Sequence, residues 1–398
     1  MTATMLLPHA HASGRESVTS YGRRLSDLAA AHPHRPAIIL VSPDGSEYPM
    51  SYRRLDEMSN RAAALLRDRG VRRGDWVVIG LPNGVDHYAF TFGAWKIGAC
   101  VLPISHRLPE RERGEMLALA RPAVVIAEYA HDSIPTVCPK ELADFEATTD
   151  ALPDVVACPG KAIGSGGSTG RPKIIVDPDP WANAPGDVFA GLALGTGMAP
   201  NQVQLVAGPL YHNAPFSWGH FGLFEGHTLV VMQRFDADLA LELVTRHGIN
   251  FALLVPTMLR RMLASPALPE TDFSSIAGIV HSAAPCPPWV KRAWLDLLGP
   301  DRLHEAYGST ESSGYTFLTG REWLAHPGSV GRPMATDIRI IDDAGNECPR
   351  GEVGEIYMRM QGRTTPTYRY IGSAPAATLP GGYVSVGDLG WLDEAGFL

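Results

Sequence analysis

The stretch Ser165-Gly166-Gly167-Ser168-Thr169-Gly170-Arg171-Pro172-Lys173 decides how this chain is read. It gathers three glycines, three hydroxyl side chains, an Arg and a Lys into nine residues. Glycines let the backbone turn tightly enough for several N–H groups to converge. The hydroxyls and the lysine ammonium add donors at the same place, so the loop is suited to phosphate. Two other loops share part of this pattern. A Walker A loop has Gly-Lys-Ser/Thr at its end, whereas Gly170 is followed by Arg171 and Pro172. Gly166-Gly167-Ser168-Thr169-Gly170 also fits Gly-x-Ser-x-Gly, in which a serine nucleophile sits on a strand-to-helix elbow. Here Pro172 and the run Lys173-Ile174-Ile175-Val176 predict a strand after the loop. A strand–loop–strand hairpin holding phosphate is therefore expected, rather than a nucleophilic Ser168.

The chain around it alternates strand and helix. Ala37–Val41 is an apolar run closed by the turn Pro43-Asp44-Gly45. From Ser51, Leu55, Met58, Ala62 and Leu65 recur at helical spacing until Gly70. Trp76–Leu81 reads as a strand, Pro82-Asn83-Gly84 as a turn, Asp86–Ile97 as a helix and Cys100–Ile104 as a strand. The rhythm returns with strands at Gln204–Ala207, Thr228–Met232, Phe251–Val255, Gly278–His281 and Leu303–Glu305. Helices are expected at Ala237–His247, Thr257–Ala264 and Pro288–Leu298. This predicts an α/β fold with largely parallel sheets covered by helices. From Ile338 the pattern shifts to short strands with Gly turns, at Ile338–Ile341 and Gly354–Met358. Gly382–Leu389 and Trp391–Asp393 read as a strand pair before the turn Glu394-Ala395-Gly396.

Composition narrows the function. A chain of 398 residues exceeds what one hydrophobic core supports, so several subdomains are expected. The divisions are a disordered tail over 1–18, two α/β subdomains over 19–335, and a β-rich subdomain over 336–398. A net charge of −8 argues against nonspecific nucleic-acid binding. Cys100, Cys138, Cys158, Cys286 and Cys348 are scattered and form no Cys-x-x-Cys pair, as free thiols in a reducing compartment do. No apolar run reaches the length of a membrane span, and the start lacks a signal-peptide apolar region. A cytoplasmic location is expected. Nothing in the sequence sets an oligomeric state.

Six further segments follow the loop: Pro209-Leu210-Tyr211-His212, Ser282-Ala283-Ala284-Pro285, Tyr307-Gly308-Ser309-Thr310-Glu311, Gly328-Ser329-Val330-Gly331-Arg332-Pro333, Gly351-Glu352-Val353-Gly354-Glu355-Ile356 and Gly387-Asp388-Leu389-Gly390. With the loop, and in this order, they resemble the signatures of the adenylate-forming enzymes: acyl-CoA synthetases, luciferases and peptide-synthetase adenylation domains. The resemblance extends over roughly residues 37–398. The nearest subgroup is that of the bile-acid and polycyclic-acid CoA ligases. The loop departs from the family form at Gly166, and at Ile174, where the family carries Gly.

The resemblance implies the family's large N-terminal domain: two helix-covered sheets in αβαβα layers plus a small β-barrel. It also implies that the chain ends before the family's hinge and small C-terminal domain. Such a fragment is expected to bind ligands but turn over poorly. The implied activity is an ATP-dependent acid–thiol ligase, using ATP, Mg²⁺ and CoA. It would convert a bulky apolar carboxylic acid to an acyl-adenylate and pass it to CoA. Loading of a carrier protein, or a specialised enzyme performing one half-reaction, are the alternatives.

By the same resemblance, Ser165, Gly166, Gly167, Ser168, Thr169, Gly170 and Lys173 would cradle the β- and γ-phosphates. Arg171 is a solvated loop residue or a further phosphate contact. Thr310 would bond the α-phosphate and Glu311 would hold Mg²⁺. Asp388 would take both ribose hydroxyls, and Tyr307 would stack on adenine. Ser282, Ala283 and Ala284 would wall the other adenine face, with Glu305, Ala306 and Gly308 alongside. His212 would steer the carboxylate. Phe216, Trp218, Gly219, Phe221, Pro256, Gly314 and Tyr315 are candidate acyl-pocket lining.

Overall fold

Adjacent residues on single strands belong to different cores, which shows how the layers stack. Val77 and Ile79 join one core while Val78 between them joins a second. Val231 joins the first, while Val230 and Met232 join a third. Each strand is thus apolar on both faces, as strands sandwiched between helices must be. In the computed structural model, the described residues are 18–131, 133–146, 152–166, 172–184 and 187–398. Apart from Val18, the expected tail lies outside them, as do Gly167, Ser168, Thr169, Gly170 and Arg171.

A nine-stranded sheet has its parallel centre in Leu303–Gly308, Gly278–His281, Phe251–Leu254, Val203–Val206, Thr228–Met232 and Pro36–Val41, in that spatial order. Glu47–Ser51 closes one edge antiparallel, and Tyr315–Thr319 with Arg332–Met334 closes the other. A seven-stranded sheet runs Arg369–Ile371, Pro172–Asp177, Lys161–Gly166, Cys100–Pro103, Trp76–Ile79, Val124–Ile126 and Thr136–Val137. Between the sheets lie the helices Tyr21–Ala31, Tyr52–Asp68, Val85–Lys96 and Asn213–Phe224. Ala237–His247, Pro256–Leu263 and Pro288–Leu298 cover the far face of the larger sheet, and Glu110–Ala120 covers that of the smaller. This is the expected αβαβα order.

Local chemistry explains the central layer. The Ser51 hydroxyl accepts from the Arg54 N–H and caps Tyr52–Asp68. Gly93 lets the next helix lie against it, because a Cβ there would stand 2.8 Å from the Ala62 Cβ and 3.0 Å from the Ser59 carbonyl. All five cysteines are free. No described helix is long and apolar enough to cross a membrane.

Two expectations change in the last part of the chain. The small barrel is an open four-stranded antiparallel sheet of Thr336–Ile341, Gly354–Met360, Tyr383–Gly390 and Thr378–Leu379. Trp391–Asp393 forms no strand; Tyr383–Gly390 pairs with Gly354–Met360 instead. Arg369–Ile371 leaves this region to pair with Ile174–Val176 in the seven-stranded sheet.

Five histidines are buried in these layers: His87, His220, His227, His281 and His304. Desolvation lowers His87, His220 and His281 to about 3, and His227 and His304 to about 4. The folded chain excludes protons that an unfolded histidine takes up near pH 6.5. Stability is therefore full above about pH 6.5 and falls as pH drops toward 4. Asp86, Asp177 and Glu305, raised by desolvation, act in the opposite sense but are fewer. The urea midpoint should be lower at about pH 5 than at about pH 7.5; equal midpoints would contradict this account.

Candidate functional site

A cavity of about 790 Å³ opens at the C-terminal ends of the parallel strands, where Gly208, Val255 and Ser282 line it. This is where open α/β sheets place ligands. Its mouth, two walls and floor come from different parts of the chain.

Beside the cavity stands the hairpin of Lys161–Gly166 and Pro172–Asp177, antiparallel with Ser165 opposite Lys173 and Gly166 opposite Pro172, and it lends Lys161 and Asp177 to the lining. The strand that excluded the serine elbow is present. The Lys173 ammonium lies 3.3 Å from the Glu311 carboxylate and 4.2 Å from the centre of the Tyr370 ring. The Tyr370 hydroxyl donates to the same carboxylate at 2.7 Å. The Thr367 hydroxyl donates to the Glu311 carbonyl, also at 2.7 Å. Burial and the Glu311 charge push the Tyr370 phenol well above its usual range, which keeps it a donor. Thr310 lines the cavity beside Glu311. Among the described residues no group of three or more His, Cys, Asp or Glu side chains could hold a metal. Glu311 is thus a single carboxylate facing a cation, a set that suits Mg²⁺ only with oxygens brought by a phosphate ligand.

On one wall, the Tyr307 hydroxyl donates to Asp388 at 2.7 Å, which joins two predicted site residues 81 positions apart. Ser282, Ala283, Ala306 and Gly308 line the same region. Ala283 and Ser312, both lining, have φ of 74° and 54°. Non-glycine residues there carry strain of roughly 1–3 kcal/mol each, which recurs at ligand sites. Gly308 is required because a Cβ would stand 2.7 Å from the Tyr315 ring. Three expected contacts fall elsewhere. Ala284 is exposed outside the cavity. Glu305 is buried on a short bond from the Lys291 ammonium, with His281 at 3.8 Å. A Cβ on Gly314 would meet Thr336 and Met358.

The opposite wall is the helix Asn213–Phe224, which the sequence reading had not separated as a helix. His212 stands at its N-cap, with its ring 4.6 Å from that of Tyr211. Desolvation holds the His212 imidazole below its ordinary pKa. Ala214, Ser217, Trp218 and Phe221 face the cavity. Phe216 and Gly219 do not. Phe216 is wholly buried against His220, with ring centres 4.2 Å apart, and a Cβ on Gly219 would stand 3.0 Å from the Tyr88 hydroxyl. Helical phase, roughly 100° per residue, turns them toward the helix Val85–Lys96, where Phe216 meets His87 and Trp95. Val255 and Met258 line the cavity in place of Pro256, while Tyr315 lines it as expected, its phenol pushed up to about 12 by burial.

Two polar residues that join the layers around the cavity escape the sequence reading. Asn83 was visible only as a turn residue. It is buried, donates to the Gly208 and Met232 carbonyls at 2.9 and 3.0 Å, and accepts from the Leu210 N–H at 2.8 Å. It ties a loop of one sheet to the Pro209–His212 segment of the other. Lys161, at the cavity floor, gave no signal beyond being a charge at the head of an apolar strand.

The chain belongs to the AMP-binding enzyme family, whose model matches residues 25–368. It is 27% identical over 388 residues to the fatty acid–[acyl-carrier-protein] ligase ScoC of Streptomyces coeruleorubidus, covering 92% of this chain and 74% of that protein. It is 26% identical over 405 residues to the long-chain-fatty-acid–CoA ligase FadD13 of Mycobacterium tuberculosis, covering 95% and 77% respectively. Among solved structures, the N-terminal domain of FACL13 from Mycobacterium tuberculosis superposes with a TM-score of 0.78 at 24% identity. That match covers 95% of this chain and 98% of that one. The chain spans about three quarters of the length of these curated relatives.

Asn83→Ala leaves two carbonyls and one N–H without their partner in a buried place. Each such group costs roughly 1–3 kcal/mol when water does not replace the bond. The variant should lose about 3 kcal/mol of stability in urea unfolding, and hydrogen exchange should accelerate at the Leu210 amide. Native protection at Leu210 would show that the Pro209–His212 segment is held by other contacts.

Proposed function

We propose that this member of the AMP-binding enzyme family is an ATP-dependent acid–thiol ligase. It joins a carboxylic acid to the α-phosphate of ATP, releases pyrophosphate, and passes the acyl group to the thiol of CoA. The observation that carries the reading is that Tyr307, Thr310 and Glu311 line one cavity, with Lys173 paired to Glu311 and Asp388 bonded to Tyr307. These groups come from motifs far apart in sequence and match the needs of adenylation.

In the first half-reaction a carboxylate oxygen bonds to the α-phosphorus as the bond to the pyrophosphate oxygen breaks. Negative charge grows on phosphate oxygens, so fixed donors and positive charge lower the barrier. The Lys173 ammonium is held at the mouth by Glu311 and the Tyr370 ring. It supplies charge to the phosphates from a position already ordered. The Thr310 hydroxyl donates to the α-phosphate. Glu311 would hold Mg²⁺, which neutralises charge shared between phosphate oxygens. Asp388 accepts hydrogen bonds from the ribose hydroxyls. Tyr307, aligned by its bond to Asp388, lies along the adenine, and the Ser282–Ala283 backbone meets the other face. His212, kept neutral by desolvation, does not form an ion pair that would hold the incoming carboxylate in its ground state.

The apolar wall of Phe189, Leu192, Trp218, Phe221 and Met258 supports a bulky acid. Ligases acting on CoA and on a carrier protein both stand among the relatives, so the acceptor is read by experiment. We also place the protein in the cytoplasm, a reading that its free cysteines favour.

Lys173→Ala should weaken ATP binding ten- to hundredfold in calorimetry, since a charge-assisted contact contributes roughly 1.5–3 kcal/mol. Asp388→Ala should weaken AMP binding far more than binding of the free acid; equal losses would make it structural. Pyrophosphate exchange with a panel of acids tests the first half-reaction, and mass detection of acyl-CoA or acylated carrier protein identifies the acceptor. No acid-dependent exchange would refute the ligase reading.

A further inference from the structure

Lys161 is 6% exposed, and its side chain reaches the floor of the cavity. Its ammonium donates to the Asn213 Oδ1 at 2.8 Å and to the Ser217 Oγ at 3.2 Å, and lies 4.8 Å from the centre of the Trp181 ring. All three partners are neutral. Asp177 is its cross-strand neighbour in register, yet no carboxylate oxygen of the described residues comes within 4.0 Å of the ammonium. Among the described residues the third N–H has no acceptor.

Burying an ammonium costs several kcal/mol unless partners replace its water. An apolar side chain would join the hairpin to the helix Asn213–Phe224 at less cost. Asn213 and Ser217 are one helical turn apart, and the Ser217 hydroxyl also bonds the Asn213 Oδ1 at 3.3 Å, so this polar group is ordered before any ligand arrives. The rest of the wall is apolar, with Trp218, Phe221 and Leu192.

We propose that Lys161, with Asn213 and Ser217, recognises an uncharged oxygen, a hydroxyl or a ketone, on the substrate acid at the end remote from its carboxylate. The inference rests on the acid-ligase reading and specifies its substrate class: an apolar body with one polar terminus. Charge balance selects a neutral oxygen over a second carboxylate. Asp177 lines the same cavity and already offsets the lysine's charge, and the Asp179 carboxylate beside it is taken up by Arg363, so the site holds no unbalanced positive charge for an anion. Strand geometry sets the length. Ser165, at the proposed phosphate end, lies four residue steps along the strand from Lys161, roughly 13 Å at 3.3 Å per residue, which is the span of a ring system or a medium chain.

The test compares matched acids: dodecanoic acid with its terminal hydroxy derivative, phenylpropanoic acid with its para-hydroxy derivative, and cyclohexylpropanoic acid with its ring-ketone derivative. Pyrophosphate exchange gives kcat/KM, and calorimetry gives binding. The parent protein should favour the oxygenated member of at least one pair by roughly ten- to hundredfold, the worth of a hydrogen bond to a charged donor. In Lys161→Met that ratio should fall to near one. If K161M does not fold by circular dichroism, Lys161→Gln, shorter and uncharged, serves in its place.

Equal use of both members of every pair by the parent, or binding of neither, overturns the inference. So does a variant that lowers both members alike, because a purely structural lysine would leave the ratio unchanged. If no acid supports exchange but calorimetry still shows a preference that depends on Lys161, the ligase reading fails and this one stands.

Discussion

The antiparallel pairing of Lys161–Gly166 with Pro172–Asp177 is the interaction on which the rest of the site depends. One end of this hairpin brings Ser165 opposite Lys173, and the other carries Lys161 and Asp177, which line the cavity. Its outer strand accepts Arg369–Ile371 as a further edge. That pairing sets Tyr370 between Lys173 and Glu311, and so brings the β-rich part of the chain to the phosphate end. A slip of one residue would reverse every side chain on the strand. Slipping the outer strand would take Lys173 from Glu311 and Asp177 from its place opposite Lys161. The register of the hairpin therefore sets the neighbours of both lysines.

The electrostatics of the cavity are divided in a way the net charge of −8 does not suggest. In the ion pair beside Tyr370, Lys173 and Glu311 are only partly buried, with side-chain exposures of 21% and 15%. Water still screens them, so the pair can open to admit phosphate and metal at modest cost. At the floor, Lys161 sits among neutral partners out of water, where a hydrogen bond is stronger and an unmet donor is dearer. The first arrangement suits a charged ligand that arrives and leaves each turnover. The second suits discrimination, because a ligand that leaves the donor unmet bears the full penalty.

Much of this was legible in the sequence, for identifiable reasons. Gly278–His281, Thr228–Met232, Ala237–His247 and Pro288–Leu298 were placed to the residue, because each is a short apolar or amphipathic run between strong punctuation. Tyr307, Thr310 and Glu311, which line the cavity, and Asp388, bonded to Tyr307, stand inside short local motifs that the sequence displays. The acyl wall could not be read in the same way. Asn213–Phe224 is apolar around much of its circumference, so no stripe marks which face meets the cavity, and Phe216 and Gly219 were placed on the wrong side. Glu305 failed similarly: neighbours on a strand point to opposite faces, and the partner that claims it, Lys291, lies on a helix behind the sheet. Trp391–Asp393 has strand-like composition but follows the exposed end of Tyr383–Gly390, where no neighbouring strand takes it up.

Asn83 and Lys161 show where sequence reading stops and why. Each is one polar residue whose role exists only after two distant segments meet. Asn83 lies in a turn of one sheet and spends its amide on the Gly208 and Met232 carbonyls of the other. Lys161 heads a strand of one sheet and reaches a helix that packs between both. On the proposed reading, the groups that would meet phosphate, ribose and metal sit inside short local motifs, which is why they can be named from sequence. On the same reading, the body of the acid would be met by isolated residues at the junction of the layers. Substrate preference would then change through a single position such as Lys161 without disturbing the hairpin register or the motif residues.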